Sequence, residues 1–161
     1  MKRVFLLALG IAIAVPISAQ SATGMSAEQY YVGSWSCVGG DTGQKPTNAR
    51  LTYTIDSNLM HNRVVVPPSG KMTQPYVLNI LTTYDGKHGR FVQTGLDNGA
   101  VSWTSYAKPF DGTTETWTDQ FNTSGKLGRS VTERVNHSTF TITNYDLNGT
   151  KPTFKATCNR S

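Results

Sequence analysis

Tyr31-Val32-Gly33-Ser34-Trp35-Ser36-Cys37 is the stretch whose reading decides the fold. Tyr31, Gly33, Trp35 and Cys37 fall on one face and Val32, Ser34 and Ser36 on the other, the two-residue period of a half-buried β-strand. A large indole beside a glycine and a cysteine marks the first face as a core anchor. The other cysteine, Cys158, stands three residues from the last position, so the first and last strands are expected to meet, as closure of a sheet into a barrel requires. Cys37 shares its face with Trp35, and Cys158 shares one with Phe154, Ala156 and Arg160. A bridge between them would close a loop of 158 − 37 = 121 residues. The chain-entropy model values such a loop at about 4–5 kcal/mol as an upper figure. Two free, buried thiols are the alternative, and two cysteines alone are too few ligands for a metal site.

Outward from this strand, the N-terminal side reads as a leader. Lys2 and Arg3 precede an apolar run from Val4 to Val15 and then Pro16-Ile17-Ser18-Ala19, the charged, hydrophobic and small-residue layout of a secretory signal peptide. Residues 1–19 are therefore expected to be removed, leaving 20–161 as a single β-barrel domain in the periplasm or outside the cell, where an oxidised cysteine pair is at home. No stretch reaches the roughly 20 apolar residues of a membrane-spanning helix, so no membrane span is expected. Loss of Lys2 and Arg3 takes the net charge from +5 to +3. The remaining Lys and Arg are scattered singly among Thr, Ser and Asn, which excludes the basic stripe of a nucleic-acid binder.

On the C-terminal side the chain is punctuated by Asp85-Gly86, Asp97-Asn98-Gly99, Phe110-Asp111-Gly112, Ser124-Gly125 and Asn148-Gly149 at intervals close to a dozen residues. Asn-Gly and Asp-Gly pairs are strong hairpin signals, and the segments between them are rich in Thr, Val, Tyr, Phe and Trp. No window of helical length shows a 3.6-residue apolar period. The pattern predicts an all-β fold, an antiparallel up-and-down barrel of about 8–10 strands. Strands are expected near 31–38, 50–56, 61–66, 75–84, 89–96, 100–107, 113–121, 129–136, 139–146 and 152–159. Ser26-Ala27-Glu28-Gln29 fits a helix cap, so one short helical turn should run into the first strand and plug a barrel end.

Gly33-Ser34-Trp35, following a short helical turn, resembles the Gly-x-Trp of the lipocalin and calycin-like barrels. The resemblance implies that Gly33, Trp35 and Arg160 are structural: the tryptophan closes the barrel floor and a basic residue near the last strand, here Arg160, packs over its indole. It also implies a cavity for a small, mostly apolar ligand in a bacterial exported protein. The chain departs from the lipocalin pattern in lacking a Thr-Asp-Tyr after a late strand and a helix after the last one.

Chemistry is sparse. Ser69-Gly70-Lys71 lacks the upstream glycine of a phosphate-binding loop, no Gly-x-Ser-x-Gly elbow occurs, and His61, His88 and His137 show no ligand spacing. No cofactor and no catalytic residue is assigned. What stands out is carboxylates on apolar faces. Glu115, Trp117, Asp119 and Phe121 share one face, and Val131, Glu133 and Val135 another. With hairpins centred on Phe110 and Gly125, Trp103 would face Trp117 and Trp117 would face Glu133, a row of two indoles and an acid, with Glu115 opposite Ser105. Trp103, Trp117, Glu115, Glu133 and Tyr84 are thus the candidate ligand-binding residues, suited to a ligand with an apolar body and a polar or cationic group. In the competing reading, Glu115 and Glu133 pair with Arg90, Arg129 or Arg134, or face water on a strand whose Thr side is buried. Three function classes follow: an exported small-ligand binder, a structural or protein-interaction module of the cell envelope, and a small enzyme using interior carboxylates.

Overall fold

The computed structural model describes residues 24–70, 72–110 and 113–161; the expected leader lies outside them. A 3-10 helix, Gly24–Tyr31, leads into ten strands: β1 Gly33–Asp41, β2 Thr47–Asp56, β3 Leu59–Val66, β4 Tyr76–Asp85, β5 Arg90–Asp97, β6 Ser102–Ala107, β7 Thr114–Asn122, β8 Gly128–Asn136, β9 Thr139–Asp146 and β10 Pro152–Arg160. Each stands within three residues of the bounds expected from turn chemistry. All neighbours are antiparallel and follow sequence order, and β1 pairs with β10 to close the barrel. Cys37 lies directly opposite Cys158 in that pair, and the two are bridged.

The helix begins at Gly24, so Ser26 lies inside it rather than capping it. Its three-residue period has a consequence for the barrel. Side chains at i and i+3 eclipse in a 3-10 helix, which sets Met25, Glu28 and Tyr31 in one row, and all three are buried. That row closes one end. Tyr30 Oη lies 2.7 and 2.8 Å from the carbonyl oxygens of Asn136 and Thr139 and fastens the plug to the β8–β9 turn.

Beneath the plug is an aromatic floor. Trp35 is wholly buried, its ring centre 4.7 Å from that of Phe140, and its Nε1 donates to the Tyr31 carbonyl at 2.7 Å. The Arg160 guanidinium carbon lies 4.4 Å from the Trp35 ring centre. Its nitrogens donate to the carbonyls of Val32 at 2.8 Å and Tyr30 at 2.6 Å. Gly33 makes this crossing possible. Its φ of 122° is strained for any side chain, and a Cβ there would lie 3.1 Å from Arg160 Nη1. Gly33, Trp35 and Arg160 thus pack against one another at this end of the barrel.

Candidate functional site

Above the floor the barrel is not filled. A cavity of about 600 Å³ extends from Glu28 and Tyr31 at the plug toward the opposite rim, where Lys126, Asp146 and Thr153 border it. The alternation of each strand decides its lining. On β4 the even residues Tyr76, Leu78 and Ile80 face inward, as their pattern predicts; on β2 the inward set is Ala49, Leu51 and Tyr53. The walls combine apolar side chains with polar ones along their length, Gln93, Asp119, Asn122, Lys126 and Asp146 away from the plug and Glu28, Asn62 and Glu115 beside it.

The polar groups beside the plug centre on two acids. Glu28 descends from the helix and Glu115 from β7, and they are only 1% and 3% exposed. Trp117 Nε1, two residues along the same face, donates to Glu115 Oε2 at 2.9 Å. The two carboxyl groups are close enough to share a hydrogen bond through one proton, and no other donor reaches either Glu28 oxygen or Glu115 Oε1 among the described residues. Burial pushes Glu28 up to about 7, with Arg134 pulling the other way. Glu115 is raised as well, by burial first and by the neighbouring Glu28 charge second. Two like charges side by side in a buried site cannot both ionise freely, so the pair retains a proton near neutral pH. Burial likewise holds the Tyr31 and Tyr53 phenols above their ordinary range.

Arg134, on β8, is the cation of this end. Its Nη2 donates to the Ala27 carbonyl at 2.6 Å, and its guanidinium carbon lies 3.4 Å from the Phe110 ring centre and 5.0 Å from that of Tyr31. Asp119, nearer the rim, is satisfied differently. It accepts from Ser105 Oγ at 2.6 Å and from the Gly128 amide at 2.9 Å.

Of the candidate binding residues, Glu115, Trp117 and Trp103 line the cavity. Trp103 does not face Trp117. A register shift between Thr104 and Ser105 sets it opposite Asn122 and turns Phe121 outward, where it is 55% exposed. On the β5 side Trp103 pairs with Gly95, and its six-membered ring lies flat over that glycine, where any Cβ would collide with it. Glu133 is a correction. Trp117 lies opposite Ser130, three residues from the expected partner, and an odd offset exchanges the faces of β8. Thr132 and Arg134 therefore face inward and Glu133 is exposed on the outer wall, so the Thr side of that strand is the buried one. Tyr84 is also displaced from the site. It packs edge-on against Phe91 with centres 5.2 Å apart, at the plug end and off the cavity. Glu28, Tyr53 and Asn62 complete the polar end and were not singled out from sequence. The three-residue spacing of Met25, Glu28 and Tyr31 was the one available signal for Glu28.

Among the described residues no group of three His, Cys, Asp or Glu is placed to hold a metal ion, and His88 pairs instead with Asp85 at 2.6 Å. No described helix is long and apolar enough to cross a membrane. No protein-family model matches the chain, and no curated protein is significantly similar to it. Thirteen chains of solved structures do match. One is a redesigned β-barrel, superposing with a TM-score of 0.52 at 8% identity over 88% of this chain and 99% of that one. At so low an identity the likeness extends to the fold alone: the protein is a closed, antiparallel, up-and-down barrel of ten strands.

Proposed function

We propose that this protein is an exported, lipocalin-like binder of a small apolar or amphipathic molecule, held inside the barrel with its apolar body against the walls. The cavity of about 600 Å³ carries the reading, since it lies within the roughly 300–1,000 Å³ range of small-molecule sites. A structural or interaction module has no use for a hollow centre, and filling it would stabilise the fold. Export is supported by the leader-like residues 1–19 and by a buried disulfide, which suits an oxidising compartment. The packing of Arg160 over Trp35 above Gly33 supports the lipocalin-like comparison.

Trp103 and Trp117 are built-in reporters because both border the cavity. Titration with a panel of alkyl, aromatic and polycyclic compounds should give a saturable fluorescence change at one ligand per chain. Ala49→Trp places a large ring in the cavity and should abolish that response while the far-ultraviolet dichroism of the barrel persists. Fluorescence indifferent to the whole panel, with a native mass equal to the bare polypeptide, would refute the reading.

A further inference from the structure

At the polar end of the cavity the unpaired buried acceptors outnumber the unpaired buried donors, four to two. Glu28 Oε1 and Oε2, Glu115 Oε1 and Asn62 Oδ1 are buried acceptors, set against Tyr31 Oη and Arg134 Nε as buried donors without partners, and the one proton of the acid pair lies between Glu28 and Glu115. Buried acceptors without donors are costly, so this end calls for a group that brings several. A protonated amine brings up to three donors and no acceptor, whereas an alcohol brings one donor and a carboxylate none.

Charge points the same way. One guanidinium, that of Arg134, faces two carboxyls, so this end is neutral only when the pair keeps one proton. Exchange of that proton for an ammonium preserves neutrality and supplies the missing donors. An anion would meet two buried acids.

Resting on the cavity reading above, we propose that Glu28, Glu115 and Asn62 form the seat for the ammonium group of a primary or secondary amine, whose apolar body lies between Leu51, Met60, Ile80 and Trp117. The step is a one-for-one cation exchange with no covalent change: the ammonium enters and the shared proton leaves to solvent. Besides each other, the acids are faced by Arg134 from β8, Tyr31 from the helix and Tyr53 from β2. Burial keeps both phenols protonated through the neutral range, so the two carboxyls set the pH response. Protons compete with the amine, so affinity rises with pH through the neutral range.

Calorimetry with matched probes tests this, using 2-phenylethylamine, 2-phenylethanol and phenylacetate together with the octyl amine, alcohol and carboxylate. In two buffers of different ionisation heat, each amine should release about one proton and bind at least about tenfold tighter than its alcohol, the worth of one charge-assisted hydrogen bond. In Glu28→Gln and Glu115→Gln the amine-to-alcohol preference should collapse to within about threefold, less than one such bond supplies. Amine affinity of the unaltered protein should climb between about pH 5 and about pH 8, a test that needs no variant. Alcohols binding as tightly as amines, or amine affinity flat with pH, would overturn the ammonium seat and leave the cavity reading standing. Failure of all six probes alongside the wider panel would overturn both.

Discussion

Trp35 shows how much a single residue settles. Its indole touches Phe140, donates to the Tyr31 carbonyl and lies beneath Arg160, so the first strand, the last strand and the plug converge on it. Trp35→Ala should cost about 3–5 kcal/mol, the usual range for emptying a buried aromatic site, read as a loss in chemical-denaturation midpoint. A loss under about 1 kcal/mol would show that the floor closes without it. This residue was legible because an indole on a strict two-residue pattern beside a cysteine has few other uses. Glu28 was not, since an acid in a short polar segment reads as solvated. Only the eclipsed spacing of a 3-10 turn reveals that it points inward with Met25 and Tyr31.

At the scale of elements, strand positions were legible and strand registers were not. Turn residues such as Asp97-Asn98-Gly99 end a strand whatever it pairs with, but register depends on where pairing resumes. β8 starts at Gly128, whose amide is taken by the Asp119 carboxylate well before the end of β7, and nothing in the sequence announces that hook. The plug helix, held to β8 through Arg134, brings its own acid into the barrel, and stability should record it. Glu28 sits at about 7 when folded against an ordinary 4.5, so between those values the folded chain binds more protons than the unfolded one. Stability is therefore fully present below about pH 4.5 and lost as pH rises through 7, by on the order of 3 kcal/mol or roughly 10 °C in Tm. Glu115 is raised too and adds to the decline. Thermal melts across pH 5 to 9 should fall steadily for the unaltered protein and less steeply in Glu28→Gln. A Tm that rises with pH would contradict the burial of these acids as neutral groups.

For the whole molecule the seam matters most. Nine of the ten strand pairings join neighbours in sequence, and β1 with β10 is the exception, made by segments from opposite ends of the chain. Hairpins form locally and cheaply, whereas the seam must gather its ends from a long, floppy chain. The bridge between Cys37 and Cys158, 121 residues apart, removes most of that search, and Cys37→Ala with Cys158→Ala should lower stability by up to about 4–5 kcal/mol, measured against the oxidised parent. An equal midpoint for the two proteins would mean that the strand pairing alone holds the seam. The bridge has a topological consequence as well. Between the two cysteines the polypeptide is a covalent ring, so severing any one backbone link in the rim loops, such as the exposed segment 42–46, yields two chains that the bridge still holds in one molecule. The new ends would open at the mouth of the barrel, far from the plug, making this rim the natural place to re-cut the chain or to splice a tether.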